Sequence, residues 1–466
     1  MDDRLSYSIL TQIIFMKRSY LLIIITLAVI ITSCKKYLDI KSDKSLVVPN
    51  TVRDLQALLD DAEIMNQSTP VFGEASSDDY FLPQSIYNGL FPEEQKKYTW
   101  IPHDYYYSND WSMSYMAVYP TNICIEQLRK IARTADNSND WDNVKGSAHF
   151  LRAYHFFQLA SLFALAYEEA SASTDLGIVL RTTSDFNIKS SRASVKETYN
   201  QIINDAKEAS YFLPDKPAHP LRPSKAAAFA LLARTYLTMK EFDSSGKYAR
   251  LCLGIKSDLL DYNNPSSANL TGPFPFRRFN VETLFYSTMN NALALPLPLS
   301  GALIDTSLFG LYEPNDLRKQ AFFQINNNYP SFKGTYSRNL FFLFSGIAID
   351  EVYLISAECY ARKGQTALAL QDLNTLLSKR YSSASFVPIS ASSSEEAVQI
   401  ILKERRKELV MRGLRWLDIK RLNKAGSSIV IKRKLSTGEI ILNPNDKKYA
   451  LAIPADVIRE ARIPQN

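Results

Sequence analysis

Two helical hairpins, far apart in the chain, carry the same placement of small and aromatic residues, and this repetition restricts the fold more than any other feature. Pro223–Met239 and Asp243–Leu253 read as helices joined by a turn at Lys240–Phe242, and Ile349–Lys363 and Thr366–Tyr381 read as a second pair around Gly364. Aligned on their turns, Ala233, Tyr236 and Ala249 match Ala357, Tyr360 and Leu373. The small residue lets two helices approach, and the aromatic three positions later fills the space beyond.

This is the tetratricopeptide pattern. Ala153 and Phe156 open a weaker unit in a long helix predicted over Asn143–Ala170, with Thr198–Phe212 as its partner. Ser194 is the expected cap of that partner helix, and Glu197 completes a capping box. The units are not tandem. Residues 255–347, rich in Pro, Asn and aromatics, separate them and read as a mixed insertion with little regular helix. A second stretch, 66–110, loses periodicity and gains aromatics; a loop region this long in a compact protein serves function or is disordered, and its aromatic content argues against disorder. The expected fold class is therefore mainly α, a discontinuous tetratricopeptide-like helical-repeat scaffold with an irregular loop-rich subdomain. The scaffold is placed at about 50–65, 111–254 and 348–424, with insertions at about 66–110 and 255–347. Within it, Thr51 is expected to cap a helix with apolar face Leu55, Leu58, Leu59 and Ala62, and Pro120 to end or kink the first part of a helix over Trp111–Ala135.

The 466 residues, 46% of them apolar, suffice for a large core. The net charge of +6 is spread with acids and bases interspersed, so no basic groove points to nucleic acid. Near the amino terminus, Met16-Lys17-Arg18 precedes the apolar run Tyr20–Thr32 and then Ile31-Thr32-Ser33-Cys34. The run is too short for a bilayer span, which takes about 20 residues, and has the layout of a secretory signal. Residues 1–33 are expected to be that signal, with Met16 an alternative start, and Cys34 to be lipidated at a bacterial lipoprotein box. Lys35–Val48 then reads as a polar tether. Cys124, Cys252 and Cys359 lie among helical apolar residues and read as buried thiols, with a disulfide left unassigned.

Chemistry of the catalytic kind is scarce. The four histidines form no HExxH, Cys-x-x-Cys is missing, and neither a G-x-S-x-G elbow nor a phosphate-binding glycine loop occurs. Asp78-Asp79 and Glu93-Glu94 are paired carboxylates, but neighbours in sequence do not place two carboxyls across a glycosidic bond. No catalytic residue, metal or cofactor is expected, and the chain is not expected to be an enzyme. Binding suits the composition better, because sugar rings rest their C–H faces on flat aromatics while polar side chains satisfy the hydroxyls. The candidate ligand residues are Asp78, Asp79, Tyr80, Phe81, Trp100, Tyr105, Tyr107 and Trp111, with Phe276 and Arg277 from the insertion.

The stretch 402–422 supplies the most specific motif. Val398, Ile401, Leu402 and Leu409 recur at helical spacing, Gly413 offers a left-handed stop, and Leu414–Leu422 restarts as a short helix carrying Trp416. Glu408 and Arg412 read as an exposed i,i+4 pair; Lys403, Arg406 and Lys407 read as a solvated face. Arg405 falls on the apolar side and needs a partner; Arg415, Trp416 and Asp418 are read with it as structural.

ERRKELVMRGLRWLDIKR resembles the carboxy-terminal signature of the SusD/RagB family, nutrient-binding outer-membrane lipoproteins of Bacteroidetes. Glu404, Arg405, Arg406, Glu408, Leu409, Gly413, Arg415, Trp416 and Asp418 stand at its motif positions. GSAHFLRAYHFFQLASLF, RPSKAAAFALLARTYLTMKEF and DEVYLISAECYARKGQTALALQDLN are similar to the family's scaffold blocks, and Ala450–Pro454 with Gln465-Asn466 to its closing elements. At Ile349-Asp350-Glu351 the family more often has an Arg, so a local ion pair is in question. The resemblance implies a surface-exposed, lipid-anchored outer-membrane protein that captures a nutrient, an oligosaccharide first, and delivers it to a SusC-like TonB-dependent transporter. The competing expectation is a tetratricopeptide-type adaptor that binds only proteins.

Overall fold

Local capping sets where several helices begin. In the computed structural model, which describes residues 49–105, 108–290, 301–326 and 328–466, the Thr51 hydroxyl accepts from the Asp54 amide, and the Asp54 carboxylate accepts from the Thr51 amide. This box opens α1 (Val52–Leu59). The same device opens α4 (Val195–Phe212), where Ser194 and Glu197 exchange these hydrogen bonds as expected. Asn109 and Ser112 do so for α2 (Asp110–Leu128). Cys34 and the preceding signal segment lie outside the described residues.

Helix α2 runs through Pro120 to Leu128, so the proline does not end it. Proline lacks an N–H, and the carbonyl it leaves free belongs to Met116, an exposed position. Helix α3 (Ser138–Phe163) stops short of the predicted Ala170. Lys420 Nζ reaches the free carbonyls at its end, donating to Ser161 O at 2.7 Å and Ala164 O at 2.6 Å; burial pushes this amine down to about 7.

The two predicted hairpins are α5 (Lys225–Thr238) with α6 (Phe242–Ile255), and α7 (Ile349–Arg362) with α8 (Thr366–Leu377). Their turns match in conformation as well as in sequence. Lys240 adopts φ 65° where Gly364 adopts φ 73°. Ala233 and Ala357 are both buried at the close approach. Each helix from α2 to α8 packs on the next in chain order, and α6 lies against α7. The insertion between α6 and α7 interrupts the repeat in sequence but not in space.

The irregular segments join each other. Tyr80–Phe81 pairs antiparallel with Leu303–Ile304. The Thr288 amide donates to Asn66 O and the Asn290 amide to Thr69 O. Strand Thr283–Phe285 pairs with Ile347–Ala348 at the start of α7, and Phe323–Asn326 with Tyr329–Phe332 forms a hairpin. The stretch 66–105 also contains short helices at Phe72–Ser76, Gln84–Asn88 and Pro92–Tyr98. A carboxy-terminal hairpin, Ile431–Leu435 with Gly438–Leu442, follows the signature. Gln465 closes the chain by accepting from Ile453 N and donating to Ile453 O, both at 2.8 Å. Cys124, Cys252 and Cys359 are buried free thiols.

The signature stretch is two helices, α9 (Ser394–Glu408) and α10 (Arg415–Lys424). α9 ends before Gly413, because Met411 already takes a left-handed φ of 58°, and Gly413 follows at 74°. Breaking the helix there separates Glu408 from Arg412, so the expected exposed pair is replaced by buried partners. Glu408 receives Arg380 at 2.7 Å and Arg318 at 3.0 Å, while Arg412 reaches Asp350 at 3.1 Å. Lys407 is likewise not solvated. It is buried between Asp316 at 2.7 Å, Glu313 at 2.9 Å and Glu404 at 3.0 Å. Arg405 finds the partner it needs in Asp418 at 2.8 Å, and Trp416 packs at a tilt against Tyr449 at 4.7 Å. The acids at 350–351 do not lack cations, since Arg234 bonds Glu351 at 2.5 Å. Such pairs hold elements together chiefly because losing one partner strands a buried charge.

Candidate functional site

The aromatic stretch 66–105 turns mainly inward. Arg433, 2% exposed on the carboxy-terminal hairpin, threads into it and donates to the carbonyls of Ser77 (2.7 Å), Tyr80 (3.1 Å), Ala75 (3.2 Å) and Tyr98 (3.3 Å). The rings of Tyr98, Tyr80 and Trp100 surround the guanidinium at 4.4–5.0 Å from their centroids. Tyr80 also donates its hydroxyl to Ala75 O, and Trp100 its indole N–H to Ser76 O. These rings are a cage for an internal cation, which corrects the expectation that Tyr80 and Trp100 are open platforms.

Asp78 and Asp79 are taken up by the signature helices. Arg415 grips Asp78 with two hydrogen bonds of 2.6 and 2.8 Å, and Arg406 lies 3.2 Å from Asp79. Burial raises the Asp78 carboxyl, but Arg415 and Arg406 more than offset it and hold it below the usual carboxylate range. Asp79 is deeper, and burial pushes it up to about 6 despite Arg406. Phe276 is enclosed by Tyr262, Phe322 and Tyr336, so it too is core, while Arg277 is exposed. Tyr107 lies outside the described residues. Tyr105 is half-buried, edge-on to Phe72 at 5.6 Å and against His103 at 4.7 Å. Phe81 meets Tyr329 edge to face at 5.7 Å, and Tyr329 is exposed.

Trp111 leads into an aromatic cleft. It starts α2 and packs on Tyr115 at 4.9 Å and Phe163 at 5.1 Å. The cleft, about 220 Å³, continues along Tyr115 and Tyr119 and is closed by Arg181 and Phe186, with Val457 and Ile463 opposite. Tyr119 and Phe186 stack at 4.8 Å with an interplanar angle of 29°, and they stand 36% and 74% exposed. Arg181 holds the Phe186 loop in place by donating to the carbonyls of Ile188 (2.6 Å) and Asp185 (2.8 Å). The Glu126 carboxylate on α2 accepts from both the amide and the hydroxyl of Ser184. A loop tied down in this way presents Phe186 on rigid support.

Tyr115, Tyr119 and Phe186 are absent from the expected site. Trp111, Tyr115 and Tyr119 recur every four residues on one helix face, a signal present in the sequence. Phe186 had none, since only the fold brings its loop onto α2. A second cleft, about 170 Å³, is lined by Phe72, Trp100, Ile101, His103, Lys448 and Asn466. Among the described residues, no cluster of His, Cys, Asp and Glu is arranged to hold a metal ion.

A family model described as "Starch-binding associating with outer membrane" matches residues 36–237, and one described as "SusD family" matches residues 349–451. The SusD-like protein P2 of Formosa agariphila is 23% identical, covering 76% of this chain and 79% of that protein. Among solved structures, a putative sugar binding protein from Bacteroides vulgatus superposes with a TM-score of 0.73 at 21% identity, covering 90% of this chain and 99% of that one. A SusD superfamily protein from Bacteroides thetaiotaomicron gives 0.72 at 21% identity, covering 89% and 99%. With the signature helices, the interrupted helical repeat and these matches at both ends of the chain in agreement, the protein belongs to the SusD/RagB family.

Proposed function

We propose that this chain is a cell-surface lipoprotein, anchored through Cys34, that captures an oligosaccharide and delivers it to a SusC-like TonB-dependent transporter. The family's general role supports the reading: its members are outer-membrane lipoproteins that bind carbohydrate and pair with such transporters. One family description names starch binding, and the Bacteroides vulgatus neighbour is named a putative sugar binding protein. The observation that carries it in this molecule is the stacked, exposed pair Tyr119 and Phe186 at the mouth of the Trp111 cleft. The pair leaves apolar ring faces in contact with water, and a sugar ring resting on them would cover those faces.

The test is a panel of neutral glycans presented to the purified full chain in detergent. Retention without cleavage is expected. Tyr119→Ala and Phe186→Ala should each weaken binding by about 1 kcal/mol, roughly fivefold, with unchanged circular dichroism. Binding unaltered in the stable double variant would remove this cleft from the ligand site, and product formation would contradict a binding role.

A further inference from the structure

A larger cavity, about 700 Å³, opens between the end of α2, the first half of α3 and the middle of α4. It lies within the size range of small-ligand sites. Its lining holds the cations Arg129, Lys145 and Arg152, with the imidazole of His149 beside them and Glu208 as the single acid. Asp205 stands behind His149 and is already engaged. Arg152 donates to it from Nη2 at 2.6 Å and from Nε at 2.8 Å, and His149 Nδ1 meets it at 2.7 Å. Burial raises this carboxyl, but the bonds from His149 and Arg152 more than offset that and hold it in its charged form.

Several features separate this arrangement from an ordinary ion-pair cluster. The Asp205 bond orients the imidazole and leaves Nε2, the second nitrogen of a side chain 11% exposed, without a protein partner among the described residues. Arg129, at the end of α2, is exposed and its guanidinium has no hydrogen-bond partner among those residues. Lys145 is only loosely paired, 3.8 Å from Glu208, and its ammonium lies over the Phe212 ring at 4.1 Å and the Trp141 ring at 5.3 Å. Trp141, half-buried with its indole N–H on Ile131 O, adds a flat wall beside these cations.

We propose that this cavity is a binding site for an acidic sugar. Its carboxylate would be received by Arg129, Lys145 and His149 Nε2, and its ring would lie along Trp141. A guanidinium fork and an ammonium suit a carboxylate, and a histidine already hydrogen-bonded to an aspartate supplies a further donor when protonated. The choice of a sugar as carrier rests on the function proposed above; the affinity for a carboxylate rests on the cavity alone.

The experiment uses the full chain in detergent and three probes: trigalacturonate, neutral maltotriose and sodium sulfate. Binding is followed by calorimetry and by tryptophan fluorescence. Trigalacturonate is expected to bind saturably and at least tenfold more tightly than maltotriose binds in this cavity, and to quench fluorescence in the parent but not in Trp141→Phe. Arg129→Gln changes an exposed side chain. His149→Asn keeps a donor near Asp205 and deletes Nε2. Each should weaken trigalacturonate at least fivefold at an unchanged melting temperature, while the Tyr119→Ala/Phe186→Ala variant should retain it. Equal binding of both trisaccharides to the Tyr119→Ala/Phe186→Ala variant, or full affinity in Arg129→Gln and His149→Asn, would overturn the site. Displacement of trigalacturonate by equimolar sulfate would overturn the sugar as carrier. Trigalacturonate binding with no response to any neutral glycan would sustain this site and contradict the aromatic cleft instead.

Discussion

Replacing Arg433 with methionine tests whether the aromatic stretch at 75–100 is held from within. Methionine fills much the same length but removes the guanidinium that bonds four backbone carbonyls, those of Ala75, Ser77, Tyr80 and Tyr98. Each buried acceptor left unpaired costs about 1–3 kcal/mol. The low end applies where water can enter, which puts the loss at about 4 kcal/mol for the four. The three cation–ring contacts, about 0.5–2 kcal/mol each, are lost as well, and relief from burying the charge offsets them. For the unit Asn50–Asn466, an unfolding entropy of about 2.1 cal/mol/K per residue converts 4 kcal/mol into a melting shift of about 4–5 °C. The sharper readout is hydrogen exchange by mass spectrometry, with protection falling in peptides spanning 75–100 and in the 431–442 hairpin while α5–α8 stay protected. Unchanged exchange across 75–100 would refute the cage as the device that orders this stretch.

Three further outcomes are expected. Cys34→Ser should move the protein from the membrane to the soluble fraction; a processed variant still bound to membranes would contradict a lipid anchor at this residue. Trp416→Ala removes a ring that is 2% exposed and packed against Tyr449, and should cost about 3–5 kcal/mol in chemical denaturation, an unchanged midpoint arguing against a structural role. Glu74 is pushed up from 4.5 to about 8 by burial and by the charge of Asp79, so the folded state holds a proton that the unfolded state releases. Its contribution is therefore full below pH 4.5 and is lost as pH rises toward 8, at most about 4–5 kcal/mol at 1.36 kcal/mol per unit. Glu74→Gln should flatten the decline in unfolding free energy between pH 5 and 8, and an unaltered slope would show that Glu74 does not hold the proton.

Patterns that act over a few residues were legible in the sequence. The capping boxes at Thr51 and Ser194, the paired hairpins with turns at Lys240 and Gly364, and the need of Arg405 for a partner all follow from spacing within single helices or between neighbours in the chain. The order of the helices was legible too. Their continuity was not, because α6 meets α7 across about 90 intervening residues and only close approach in space decides that contact. The same limit misdirected the site. Tyr80 and Trp100 have the composition of a binding surface, but the residue that fills their faces, Arg433, lies more than 330 positions away. Lys407 reads as solvated until Asp316 and Glu313, about 90 residues earlier, are folded over it. Phe186 becomes half of an exposed aromatic pair only when Glu126 fastens its loop against α2 and Arg181 braces the loop from within. Residue type and spacing determined which segments could be helices and what they had to bury. The tertiary structure decided which aromatics and charges were left facing water, since burial belongs to the packed surface and not to the residue.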